Sequence, residues 1–233
     1  MRLILAIVGV IAFTAIATMA TAARATTGTA VARPSPTLAI LERPDWPPAA
    51  PTDPPLAPHP RVLSGFVIPL RGVDLPQGEQ FLPNSPRDYR AGYHEGIDFP
   101  IPLGTPVLAA KAGTVVRVDS RFQDWSAADE RTALDEAQVL GYTPAATLDR
   151  IRGRQVWIDH GRGIVTRYAH LSGVAPLSVF DHVEAGDVVG AVGSSGYPEG
   201  GPHLHFEIRV GDDFYGDGLA LPALRFALRV AFR

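Results

Sequence analysis

The chain contains no cysteine. That absence removes disulfides, thiolate metal sites and cysteine nucleophiles together, so any metal ion must sit on histidine, aspartate or glutamate. Lysine is nearly absent as well: Lys111 is the only one among 21 basic residues. The basic residues form no cluster and the net charge is −3, so the basic face that a nucleic-acid binder needs is missing. Charged residues make up 19% and hydrophobic residues 46%, which excludes both wholesale disorder and a polytopic membrane protein. Arginine in place of lysine, with abundant Ala, Gly and Pro, is the composition of a GC-rich bacterial genome.

What is present begins with a leader. Arg2 precedes the apolar run Leu3 to Ala17, and Ala23-Arg24-Ala25 places small residues where a signal peptidase reads. The run is also long enough for an uncleaved chain to cross a bilayer, for which about 20 apolar residues suffice. Residues 1–25 are therefore expected to be a signal peptide or an N-terminal membrane anchor. Either one exports the rest to the periplasm or cell envelope, the second with a tether in the inner membrane. Without Arg2 and Arg24 the balance becomes 19 basic against 24 acidic residues. Residues 26–60 carry prolines at 34, 36, 44, 47, 48, 51, 54, 55, 58 and 60, which remove backbone donors and favour extended chain; this is a proline-rich linker. Residues 61–233 remain for one folded domain with a core.

That domain reads as mainly β and antiparallel. Short β-branched or aromatic runs, punctuated by glycine and proline, occupy 65–70, 107–109, 114–118, 156–159, 164–169, 188–192 and 204–210. The runs after Gly104 and Gly186 look alike, each with a turn glycine before a short apolar strand, a pattern of barrel-like folds. A helical insertion at about 119–154 interrupts the strands. Ser126 with Asp129 forms a capping-box start, Leu134, Ala137 and Leu140 keep helical spacing, and Gly141 can close the helix. Thr143-Pro144 starts a second helix through Leu148 and Ile151, with proline at its first position. The insertion is either a flap packed on the sheet or the wall of a cleft.

Four of the seven histidines stand in strand-like segments beside turns. In His94-Glu-Gly-Ile-Asp98, four residues on an extended strand bring imidazole and carboxylate to one face, with Ile97 and Phe99 turned to the core. In His203-Leu-His205-Phe-Glu207-Ile, the two histidines and Glu207 share a face opposite Leu204, Phe206 and Ile208. His170 ends the strand 164–169, the return arm of a hairpin that turns at His160-Gly-Arg-Gly163. One such histidine would be structural; together they supply a two-histidine, one-aspartate ligand set and two spare imidazoles, as a catalytic zinc with an open position requires. Ser194-Ser195-Gly196 is the nearest approach to a serine nucleophile and reads as a loop.

These segments, His94-x-Gly96-Ile-Asp98-Phe, Tyr168-Ala-His170-Leu and His203-Leu-His205-Phe-Glu207, resemble in content and order the signature segments of the lysostaphin-like, or LytM-type, zinc endopeptidases of peptidoglycan. The resemblance runs from about Gly65 to Val210. It implies a LytM-type fold for 61–233, Zn2+ on His94, Asp98 and His205, and His170 and His203 acting on the water and the transition state. It implies an enzyme that hydrolyses peptide bonds in peptidoglycan stems or cross-links, in a Gram-negative organism the D-alanyl to diaminopimelyl bond. The other reading is a non-catalytic wall-binding module or an activator of another wall hydrolase, with the stretch 74–93 able to occlude the metal. Partners in the divisome are left unnamed. Glu95 is expected to be a solvated charge and Glu207 to support a ligand. The insertion and the tail 212–233 depart from the pattern, and both are expected to lie outside the chemistry.

Overall fold

The structure is a computed structural model that describes residues 62–233. The leader and linker expected over 1–25 and 26–60 lie outside the described residues. The larger of two antiparallel sheets contains β1 (Ile97–Pro100), β3 (Gly113–Val118), β4 (Val156–Asp159), β5 (Ile164–Ala169), β7 (His182–Val183), β9 (His203–Val210) and β10 (Asp213–Phe214). Its order is β1-β9-β5-β4-β3-β7, with β10 also pairing with β9. The smaller sheet has the order β2-β8-β6, from β2 (Pro106–Leu108), β8 (Val188–Val192) and β6 (Leu171–Val174). The two look-alike runs are therefore partners, since β2 and β8 pair with each other. The fold is mainly antiparallel β with a few helices, as expected.

Strand β9 decides where the site lies. It sits between β1 and β5, and Leu204, Phe206 and Ile208 enter the core, where Phe206 packs on Tyr168 at 5.3 Å between ring centroids. A strand that alternates apolar and polar residues ordinarily gives its polar face to water. Here His203, His205 and Glu207 are buried as well. Arg152 from the insertion and His94 from the segment before β1 cover them. Buried polar groups must find partners inside the protein, so this face is a network by necessity.

The insertion folds as two helices, α1 (Ala127–Leu140) and α2 (Ala145–Arg152). Ser126 Oγ accepts from the backbone N–H of Asp129 at 3.1 Å, and Gly141 closes α1 with φ 76°, a left-handed conformation that costs glycine nothing. Pro144 is the N-cap of α2, so that helix starts at Ala145, one residue later than expected. Of the expected apolar stripe of α1 only Ala137 is buried, and Leu140 is 42% exposed. That helix is held instead at its entrance, where Trp125 Nε1 donates to Gly196 O and Gly196 N donates to Asp124 Oδ1.

Two sequence expectations need correction. Residues 65–70 form no strand: Gly65 N donates to Arg233 O, Phe66 N to Ala231 O and Val67 N to Ala110 O, so their hydrogen bonds go to a helix end and a loop instead of a ladder. Their apolar character reflects burial of Phe66 and Leu70. The tail, unmatched by sequence pattern, carries α3 (Leu221–Ala231), whose Leu224, Leu228 and Ala231 enter the core at helical spacing. Phe232 just beyond it packs on Phe206 at 6.0 Å, so the tail backs the strand that bears the site histidines. With Leu224 only 1% exposed, Leu224→Ala should cost about 2–5 kcal/mol of folding free energy, measured by denaturant unfolding.

Candidate metal centre

Asp98 and His205 are directly opposite each other in the β1–β9 ladder, which brings their side chains to one face. His94 arrives differently from the strand extension expected: β1 begins at Ile97, and His94 lies before it, paired by backbone hydrogen bonds to Asn84 and Ser85. The three side chains nevertheless converge. His94 Nε2 lies 3.0 Å from Asp98 Oδ1 and 3.0 Å from His205 Nδ1, and His205 Nδ1 lies 2.8 Å from Asp98 Oδ1. Among the described residues this is the one group of three or more such side chains placed to share a metal ion.

The outer contacts set what this triangle can hold. His94 Nδ1–H donates to Leu82 O at 3.0 Å, and His205 Nε2–H donates to Glu207 Oε1 at 3.0 Å. Each ring therefore turns a lone pair inward, toward the Asp98 carboxylate oxygen. Three acceptor atoms less than about 3.3 Å apart repel one another unless a cation sits between them, and about 3.3 Å is the edge of a tetrahedron around zinc with bonds near 2.0 Å. The donor set, its tautomers and its spacing fit a divalent metal ion. Electrostatics agree. Burial drives His94 down to about 4, against the pull of Asp98. Burial also opposes a charge on His205, but the carboxylates of Asp98 and Glu207 beside it outweigh burial and raise the pKa. Asp98 stays ionised: burial would raise its pKa, and the imidazoles of His94 and His205 beside it hold it low.

His170 and His203 line the same cavity, of about 190 Å³. His170 separates β5 from β6, so it is the corner at which the chain passes from one sheet to the other. Its φ of 58° is left-handed and unfavourable for a side chain with a Cβ, and is found where surrounding structure enforces it. Nδ1–H of His170 donates to Ser195 O at 2.9 Å, and Nδ1–H of His203 donates to Gly201 O at 2.9 Å. Both rings thus keep Nε2 as a lone pair, that of His203 lying 3.9 Å from Asp98 Oδ1, and the two ring centroids are 4.5 Å apart. Burial, then the charges of His203 and His205, push the His170 pKa well down, so it is neutral at pH 7.

Other candidates take lesser places. Ser195 Oγ accepts from Arg154 N and donates to Leu171 O, each at 2.9 Å, so its hydroxyl is structural and its carbonyl serves His170. Its replacement, Ser195→Ala, removes both hydroxyl bonds and should lower the melting temperature while His170 keeps its carbonyl acceptor. His160 is spent on Ala112 O and Thr166 Oγ1, and His182 is exposed beside Glu184. Glu207 supports His205 as described. Glu95, expected to be solvated, is instead ion-paired with the buried Arg152. Three residues escaped sequence reading: Arg152, Arg87 and Tyr89. Arg87 donates to Asp98 Oδ2 at 2.6 Å, so the stretch 74–93 fixes the carboxylate oxygen that faces away from the triangle. Tyr89 stacks on Tyr197 at 4.2 Å at the cavity wall. The insertion, expected outside the chemistry, contributes Leu148, Ile151 and Arg152 to that wall.

Three convergent side chains able to share a metal ion, from β9, from the edge strand β1 and from the segment just before it, flanked by two anchored imidazoles in one cleft, define a candidate hydrolytic metal centre. Residues 92–216 match peptidase family M23, more than half of the chain, and the chain belongs to that family. Over 117 residues it is 33% identical to the DD-carboxypeptidase/endopeptidase Mpg of Neisseria meningitidis serogroup B, covering 50% of this chain and 20% of that one. Over 121 residues it is 31% identical to the peptidoglycan DD-endopeptidase ShyA of Vibrio cholerae, covering 52% and 21%. The chain therefore spans about a fifth of the length of each of these relatives. Among solved structures, a zinc containing peptidase from Vibrio cholerae aligns with a TM-score of 0.45 at 24% identity, covering 64% of this chain and 38% of that one.

Proposed function

We propose that this protein is a zinc-dependent endopeptidase that cleaves D-alanyl to diaminopimelyl cross-links of peptidoglycan in the cell envelope. The observation that carries the reading is the triangle of His94, Asp98 and His205 with His170 and His203, each anchored through Nδ1, lining the same cavity. His94, Asp98 and His205 would hold the zinc ion, which when bound supplies a Lewis acid that acidifies water and polarises the scissile carbonyl. Asp98 contributes the negative charge, kept in place by Arg87. His170 is unprotonated at neutral pH and takes a proton at Nε2; once protonated, the same Nε2–H can donate to oxygen or return the proton to the leaving amine. His203, anchored the same way, has its Nε2 free to accept a proton and, carrying one, to donate to the developing oxyanion, so the two rings can exchange these tasks. Membership of family M23 and the names of Mpg and ShyA support the substrate and the bond. The N-terminal pattern supports export with residues 1–25 as signal or anchor, 26–60 as linker and 61–233 as the catalytic domain.

The test is direct. Purified protein should release soluble muropeptides from isolated peptidoglycan, a chelator should stop it and added zinc should restore it. Mass analysis should show cross-linked dimers converted to monomers. Zinc bound at one per chain without any release would favour the wall-binding or activator role instead.

A further inference from the structure

Arg152 is the last residue of α2, in the insertion, yet it is buried and touches all three segments that carry the site histidines. Its Nε donates to Glu207 Oε1 at 2.5 Å, and its Nη2 is ion-paired with Glu95 Oε2. Glu207 is the acceptor for His205 Nε2–H, while Glu95 directly follows His94. The backbone carbonyl of Arg152 accepts from the N–H of His170 at 2.8 Å. Neutralising Glu207 does not require this residue, because Arg167 and Arg209 reach Oε2 at 3.4 and 3.5 Å. Among the described residues neither makes an ion pair or hydrogen bond with Glu95. One planar guanidinium thus joins the segments that carry His94 and His205, 111 residues apart in sequence.

We propose that Arg152 is a positioning residue for the metal centre: by bridging Glu95 and Glu207 it fixes the spacing and orientation of His94 and His205 before the metal ion arrives. This rests on the metal reading above. It makes the insertion a working part of the site, since a ligand set already held in place spends less of its binding free energy on ordering. The glutamates do not act as ligands; they transmit the constraint.

The experiment uses the full chain, stripped of metal and titrated with zinc against a chromophoric chelator, with melting of the metal-free protein recorded alongside. R152Q should weaken zinc binding about 10- to 100-fold. R152K keeps the charge but can reach only one carboxylate, so it should stay weakened. Glu95 is partly exposed, so E95Q should fold; it cuts the charge tie and should weaken binding in the same direction, less severely. A merely structural role would lower the melting temperature and leave affinity alone, so R152Q with wild-type affinity overturns the proposal. Wild-type affinity in R152K overturns it too, reducing the role to charge. If R152Q does not fold, E95Q decides, and unchanged affinity there overturns it. A wild-type chain that binds no zinc fails the metal reading itself, a different and prior result.

Discussion

His205→Ala should lose metal and activity together, whereas His203→Ala should keep its metal and lose activity alone. The two histidines are neighbours on one face of β9, and their surroundings separate them. His205 Nδ1 is in the triangle, 3.0 Å from His94 Nε2 and 2.8 Å from Asp98 Oδ1, and its removal leaves two ligands where a metal needs three. Bound zinc should fall from about one per chain to near none. His203 Nε2 stands 3.9 Å from Asp98 Oδ1 and its Nδ1–H is committed to Gly201 O, so it borders the triangle without belonging to it. Loss of a proton-transfer group or an oxyanion donor costs about 10² to 10⁴ in rate, and His203→Ala should fall in that range with zinc content intact. His170→Ala should behave in the same way. Elemental analysis and peptidoglycan release, run on all three variants, check this; a metal-free His203→Ala beside a metal-loaded His205→Ala would reverse the roles.

Legibility in the sequence followed interaction range. The period-two pattern of β9 was readable because each side chain's face follows from its neighbours, and so was the shared face of His203, His205 and Glu207. The face's burial was not readable, since its cover comes from Arg152 and His94, distant in sequence. For the same reason the sequence points to a strand at His94: a spacing of four from Asp98 is compatible with one, but the pairing of His94 with Asn84 and Ser85 is a tertiary event. The cap Ser126 and the closing Gly141 are local and were found, while β7 and β10, two residues each, are too short to leave a pattern. The spacing of Leu224, Leu228 and Ala231 behind Pro222 is a local helix signal that the sequence does carry. Arg152 carried none, because an arginine in the last turn of a helix is ordinarily a solvated residue favoured by the helix dipole.

Replacing residues 119–154 by a short glycine-containing turn should cost several kcal/mol of stability, more than a flap merely packed on the sheet would. The backbone would permit the change: Val118 and Val156 are paired across β3 and β4, so a tight turn could close them as a hairpin. What would be lost is internal. Arg152 would leave Glu207 fully buried without its nearest cation, and removing one partner of a buried ion pair costs about 3–5 kcal/mol, offset in part by Arg167 and Arg209. Trp125 and Asp124 would release Gly196, and Arg154 N would release Ser195 Oγ, the loop whose carbonyl holds His170. A domain stable by about 5–15 kcal/mol would then be at or near the threshold of folding. By contrast, Ser126→Ala in the same insertion removes only the cap of α1 and should cost about 0.5–2 kcal/mol. Denaturant unfolding of both variants makes the comparison, and a turn-replaced protein as stable as Ser126→Ala would mean that the insertion is a detachable flap after all.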